Sequence, residues 1–269
     1  MKAPHFEYEK PATLEEALRL LADGGDNAKV LAGGQSLGPL LNLRMARPDL
    51  LVDIRTLPEL RACEEDADSI TLGAATTHAS IEDQRVPDPT HGLLARVAQG
   101  IAYRAVRNRG TLGGSLAHAD PAADWVTTMV LLDAELLVAS ADGDRVLRAE
   151  DLVDGPLSTC LAPGEIIVSV RLPRLSADAR WSYYKFNRKP GEFAEAIAAV
   201  VHDPARGVVR AVLGAMEGAP HVIPDSSALL TGDVDALAAD VVTHAGFAPD
   251  TYEHRVHAVA LRRAVAGLA

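Results

Sequence analysis

The sequence has only two cysteines, Cys63 and Cys160, in 269 residues. That scarcity excludes an iron–sulfur cluster held by four cysteines, and equally a four-cysteine zinc site, from this chain. One disulfide is chemically allowed, but nothing else points to an oxidising compartment, so two reduced thiols are expected. Positive charge is also short: 26 Lys and Arg stand against 37 Asp and Glu, a formal net charge of −11. A nucleic-acid groove needs clustered cations for phosphate contacts, and this balance argues against one. No window approaches the roughly 18 uninterrupted apolar residues of a membrane span. The N-terminal stretch lacks an apolar run followed by a small-residue cleavage site, so a soluble, cytoplasmic protein with no membrane insertion is expected. Neither GxGxxG nor GxxxxGK[ST] occurs, and no lysine follows the glycine pairs, which disfavours a nucleoside-triphosphate hydrolase. Gly34-Gln35-Ser36-Leu37-Gly38 spells GxSxG while Ser115 does not, and those letters alone leave a serine hydrolase unsupported. No repeat of solenoid period is present.

What is there is ordinary globular composition, 48% hydrophobic and 23% charged, in a chain long enough to bury a substantial core. Residues 13–21 read as a helix, with Thr13 as N-cap, Glu16 as its capping-box partner and Gly24-Gly25 as the stop. Strands are expected at 28–31, 50–54, 70–73, 135–139 and 166–172, with Asp142-Gly143 as a turn between strands. A helix is expected at 93–99, a glycine-punctuated loop at 106–116, and a helix with Pro121 in its first turn running to about 132. Segments 181–186, 194–201 and 208–216 alternate as a small sheet, and helices at 234–244 and 251–268 finish the chain. The reading is mixed α and β in three lobes, 1–55, 56–174 and 175–269.

Two double-glycine loops carry the chemistry. In Ala32-Gly33-Gly34-Gln35-Ser36 the missing side chains leave several backbone N–H groups free to converge on one anion. If Ser36 caps a helix, the helix dipole favours a phosphate there too. Taken alone, the stretch is equally an ordinary strand-to-helix turn. Thr111-Leu112-Gly113-Gly114-Ser115 is a second such loop, with Ala117-His118-Ala119-Asp120-Pro121-Ala122-Ala123-Asp124 downstream. Two converging N–H nests suit a pyrophosphate joining the halves of a dinucleotide.

The strings AGGQSLGPLLNLRMARPDLLVDI (32–54), RNRGTLGGSLAHADPAAD (107–124) and YYKFNRKPGEFAEAIAAV (183–200), in this order and spacing, resemble the FAD-binding (medium) subunits of molybdenum hydroxylases. That is the xanthine dehydrogenase family, which includes the medium subunit of aerobic carbon monoxide dehydrogenase. The resemblance covers essentially the whole chain. It implies an α+β fold: a two-lobed FAD-binding domain of the PCMH/VAO type followed by a C-terminal α/β domain resembling that of the carbon monoxide dehydrogenase flavoprotein. It also implies that Ala32 to Ser36 wrap the FAD pyrophosphate, and that Thr111 to Ser115 reach it and the flavin from the second lobe. Ile101 matches an apolar position near the cofactor, Asp124 a cofactor-binding carboxylate, Leu161 an apolar contact with the flavin ring, and Lys185 a lysine close to the isoalloxazine. His118 is placed to hydrogen-bond FAD. A flat apolar ring with a polar edge wants aliphatic faces and a few rim donors, and a rim lysine would favour a flavin that has gained negative charge.

The departures matter too. Relatives of the wider fold that attach FAD covalently often carry a histidine in the first loop. Gln35 takes that place here, which favours non-covalent FAD. Phe193 stands where many relatives have a tyrosine, so only a packing role is expected of it. Molybdopterin and two [2Fe–2S] clusters are expected on a large and a small partner subunit, in a heterotrimer that is then doubled. The alternatives are a stand-alone FAD-dependent reductase or oxidase, and a non-catalytic nucleotide-binding assembly module. His254 and His257, at i and i+3, read as an exposed helix face rather than metal ligands, and Arg255, Arg262 and Arg263 as a solvated face or subunit contact. His118 and Asp120 read as loop-shaping rather than an acid–base pair.

Overall fold

The computed structural model describes residues 2–224 and 226–268. The chain opens with β1 (Glu7–Glu9), α1 (Leu14–Gly24), β2 (Ala28–Leu31), α2 (Leu37–Asn42) and β3 (Leu50–Asp53). The three strands form a parallel sheet of order β1-β3-β2. The Thr13 hydroxyl accepts from the Glu16 N–H, as its cap role requires. The Glu16 carboxylate takes the Ala12 N–H at 2.9 Å, so the reciprocal bond falls one residue before the cap. Ala17, Leu18 and Leu21 of α1 share a core with Val52 of β3 and with Ala139, Ile166 and Val168 of the next sheet. The first lobe is thereby seated on the back of the second.

The second lobe contains β4 (Cys63–Glu65), β5 (Ser69–Gly73), α3 (His78–Glu82), α4 (Leu93–Gln99), α5 (Arg104–Arg107), α6 (Leu112–His118) and α7 (Asp124–Leu131). Strands β6 (Glu135–Ser140) and β7 (Gly143–Arg148) follow, then the hairpin β8 (Val153–Gly155) and β9 (Ser158–Thr159), and β10 (Ile166–Pro173). Its antiparallel sheet has the order β4-β5-β10-β6-β7. The Asp142-Gly143 turn joins β6 to β7, with Gly143 at φ 135°. The other face of this sheet packs on α4, α6 and α7, and every residue of α7 is buried.

The third sheet is antiparallel, β11 (Arg180–Phe186), β12 (Ala196–Asp203), β13 (Val208–Gly214) and β14 (His221–Val222). Along β12, Ala199 and Val201 join the α7 core while Ala196, Ala198 and Val200 join the core under the last helices. A strand buried on both faces reads as a continuous apolar run, which Ala196 to Val201 is. α8 (Ala228–Thr231), α9 (Val234–His244) and α10 (Tyr252–Ala266) close the chain.

Four expectations are corrected. The stretch 106–116 is not one loop. It is the end of α5, a short link, and the first turns of α6, where the Thr111 hydroxyl accepts from the Gly114 N–H at 3.1 Å. Glycine disfavours helix on propensity, but a cap and tertiary packing override that. Pro121 lies before α7, in a turn where Asp120 accepts from the Ala122 N–H, and the helix starts at Asp124. Ser36 occupies the N-cap position of α2, yet its side chain makes no cap bond. His254 and His257 are buried rather than exposed, and the Nε2 of each ring meets a backbone carbonyl, of Ala239 and Gly214 respectively. Among the described residues, no helix is long and apolar enough to cross a membrane.

Candidate functional site

The first glycine loop leaves the C-terminal end of β2, where a parallel sheet customarily opens toward ligands. Gly34 sits at φ 69°, a left-handed conformation that glycine adopts without strain. Among the described residues, none accepts a hydrogen bond from the N–H of Gly33, Gly34, Gln35 or Ser36. The Gln35 amide folds back to donate to the Gly33 carbonyl at 3.2 Å. Four neighbouring donors without acceptors among the described residues, in a largely half-buried loop, are a candidate anion cradle.

The second loop is different. Leu112 N–H donates to Thr76 O, Gly113 N–H to Ala74 O, Gly114 N–H to Thr111 Oγ1 and Ser115 N–H to Thr111 O. Of this stretch, only the Thr111 N–H has no acceptor among the described residues. The picture of two equivalent N–H nests is therefore corrected. The second glycine pair works by close approach: a Cβ on Gly113 would stand 2.5 Å from Ala74 Cβ, and one on Gly114 would stand 2.7 Å from Thr111 Oγ1. The loops touch one another. A Cβ on Gly33 would lie 2.2 Å from the Arg109 carbonyl oxygen, and one on Gly114 would lie 3.5 Å from Ala32 Cβ.

Behind the second loop sits His78, whose N–H donates to Gly110 O and whose Nδ1 accepts from the Trp125 indole at 2.9 Å. Burial, helped by the nearby charge of Arg107, pulls this imidazole down to about 4, so it is neutral. Trp125 follows Asp124 in α7, so His78 ties the glycine loop to the helix that carries the carboxylate.

Asp124 stands in the first turn of α7, where the helix dipole favours a negative group. Its Oδ2 receives Lys185 Nζ at 2.8 Å and its Oδ1 receives the Tyr183 hydroxyl at 2.7 Å. Lys185 and Tyr183 are two apart in β11 and so share one face of the strand. Lys185 also donates to Gly100 O at 3.3 Å. Burial pushes the Asp124 carboxyl upward, against the opposing pull of Lys185 and then Tyr183. Burial and the facing carboxylate raise the Tyr183 phenol, which therefore stays a donor. Lys185 is accordingly not a bare cation. Its charge is matched by a carboxylate, and any ligand there meets an ion pair.

Ile101 and Leu161 are both half-buried against the α7 core, and Ile101 forms an isolated bridge with Gly191. Leu161 follows the β8–β9 hairpin, which is held to the end of α6 by Leu157 N–H donating to Ala119 O. His118 lies half-buried in the last turn of α6, its ring without a partner among the described residues. Phe193 is 63% exposed. The structure thus brings the first loop against the second, and Asp124 against Lys185. Sequence reasoning assigned no role to Tyr183 or His78. Tyr183 had a signal, its i, i+2 spacing from Lys185 on an expected strand, whereas His78 had none.

Residues 4–175 match the family model described as the FAD binding domain in molybdopterin dehydrogenase. The chain belongs to that family. The nicotine 6-hydroxylase medium subunit of Paenarthrobacter nicotinovorans is 36% identical over 261 residues, 96% of this chain and 91% of that protein. The 6-hydroxypseudooxynicotine dehydrogenase complex subunit alpha of the same organism is 43% identical over 194 residues, 72% of this chain and 66% of that one. In three dimensions the chain is similar to a solved carbon monoxide dehydrogenase from Hydrogenophaga pseudoflava, with a TM-score of 0.92 and 33% identity, covering 100% of this chain and 98% of that one. The α+β fold and the medium-subunit resemblance both stand on these findings. The residues present fit the cofactor of the family: an N–H cradle for a diphosphate at 33–36, aliphatic walls at Ile101 and Leu161, and polar rim groups at Asp124 and Lys185.

Proposed function

We propose that this chain is the FAD-carrying electron-transfer subunit of a molybdopterin-dependent hydroxylase or dehydrogenase complex. It takes electrons from the [2Fe–2S] clusters of a small partner subunit and passes them to an external acceptor. Substrate is hydroxylated on a large molybdopterin subunit, and the assembly is a cytoplasmic dimer of heterotrimers. The observation that carries the reading is the set of unclaimed N–H groups at Gly33 to Ser36, pressed against the second glycine loop.

Bound FAD would supply the redox chemistry, accepting and releasing electrons at its ring. The chain's own residues hold and shield it. The N–H groups of 33–36 donate to the pyrophosphate, with Ala32, Thr111, Ser115 and His118 beside them. Leu112, Gly113 and Gly114 keep the second loop close enough to serve. Ile101 and Leu161 cover the ring faces and exclude water. Asp124 fixes Lys185 at the rim, and Tyr183 fixes Asp124. Gln35 offers an amide where covalent attachment needs a nucleophile, so the cofactor is non-covalent. Lobes 1–55 and 56–174 would clasp it, with 175–269 closing the ring end.

The purified chain should be yellow and should release FAD into the supernatant on acid precipitation. A colourless chain that takes up no FAD on reconstitution overturns the reading. Co-purification with a cysteine-rich small chain and a large molybdopterin chain, with substrate-dependent bleaching, tests the complex.

A further inference from the structure

One cleft, of about 350 Å³, is lined by Arg55, Arg61 and Arg109 together with the hydroxyls of Thr76 and Ser80, and by no carboxylate among the described residues. In a chain of net charge −11 that concentration of cations is unusual. Arg55 is already committed, because its guanidinium grips the wholly buried carboxylate of Asp53, which also receives the Tyr8 hydroxyl. Arg61 and Arg109 are not: among the described residues neither side chain has an acceptor. The Thr76 hydroxyl likewise has no partner among them.

The location adds the second argument. Asp53 pairs with Leu31 across the parallel sheet, so Arg55 leaves the end of β3 beside the point where the first glycine loop leaves β2. Arg109 belongs to both features: its carbonyl backs Gly33 and the residue lines the cleft. The first glycine loop and the arginine-lined cleft are therefore joined through Arg109.

We propose that Arg61 and Arg109 form an anion subsite that receives a phosphate group beside the first glycine loop. Planar guanidinium forks match phosphate oxygens, and a hydroxyl donor completes the set. The phosphate comes either from the dinucleotide's own diphosphate end, which deepens the reading above and rests on it, or from a second phosphorylated compound.

The test is calorimetric titration of the full chain with inorganic pyrophosphate, before and after saturation with FAD. Arg61→Gln and Arg109→Gln should each weaken pyrophosphate about tenfold and together about a hundredfold, as expected for lost charge-assisted bonds. Both side chains are exposed, so the variants should fold. Arg255→Gln, an exposed arginine on α10, removes the same net charge elsewhere and should leave binding unchanged. If FAD abolishes pyrophosphate binding and the double variant also weakens FAD, the dinucleotide is the source. If the FAD-saturated chain still binds pyrophosphate, a second compound is. Wild-type chain that ignores pyrophosphate, a double variant within twofold of wild type, or an equal loss in Arg255→Gln overturns the subsite. Arginine-dependent pyrophosphate binding by a chain that takes up no FAD leaves the subsite standing and sinks the flavin reading. FAD uptake by a chain whose pyrophosphate binding shows no arginine dependence does the reverse.

Discussion

Replacing Gly33 by alanine isolates one physical question, whether the two glycine loops are in contact. Gly33 has no positive φ, so alanine meets no backbone strain there, and the whole effect comes from its methyl group. That methyl would stand 2.2 Å from the Arg109 carbonyl oxygen and 2.7 Å from Gly110 Cα. Ordinary non-bonded contact needs about 3.5 Å, so the loops must separate by roughly 1 Å. Both neighbours are backbone, and no flexible side chain can swing aside. Overpacking of this kind costs about 1–3 kcal/mol. In a chain of this size that is a fall of roughly 2–12 °C in melting temperature. The cradle moves with the loop, so FAD affinity should drop at least about tenfold, the equivalent of 1.4 kcal/mol. Gly38→Ala is the control, because its methyl would meet nothing within 4 Å inside α2. It should be neutral or more stable by about 0.5–1 kcal/mol. Differential scanning fluorimetry with and without FAD reads both effects. If Gly33→Ala melts with wild type and binds FAD as tightly, the loops do not meet as described. Gly33→Val should cost more still, since its added bulk strikes the same backbone of the second loop.

Two further outcomes follow from buried groups. Asp124→Asn strands Lys185, only 11% exposed, and should lose about 3–5 kcal/mol by urea denaturation. Asp124→Asn with Lys185→Met should lose less than the sum of the single losses, and strict additivity would refute the pairing. His78, held near 4 in the fold, is neutral there but protonated in the unfolded chain below its ordinary value of 6.5. The unfolded state then binds more protons, so this stability is complete above pH 6.5 and is lost as pH falls through 4. The full difference is on the order of 3 kcal/mol. His78→Gln should flatten the change in urea midpoint between pH 7 and pH 4.5, and an unaltered slope would count against a buried neutral imidazole.

Much of the scaffold was readable from local pattern. β2, α4 and α9 fall where their apolar spacing and end signals put them. The regions misread were those where a local rule lost to packing. Glycines that signal a loop sit inside α6 because the Thr111 cap and Ala74 hold them there. His254 and His257 look like a polar face until α9 and the end of β13 cover them. The edge strand β1, three exposed residues, carries no apolar alternation to detect.

The sequence by itself determined the family, through three motifs in order, and the two glycine pairs as places of backbone exposure or close approach. It also ruled out an iron–sulfur cluster held by four cysteines of this chain, which has two. Only the tertiary structure decided which glycine loop offers free donors, because the acceptors that consume those of the second include Ala74 and Thr76, well upstream in the chain. The structure alone also set Lys185 on Asp124, 61 residues away, and gathered Arg61 and Arg109 into one cleft. Hydrogen bonding and charge neutralisation are pairwise, and a sequence names one member of each pair at a time.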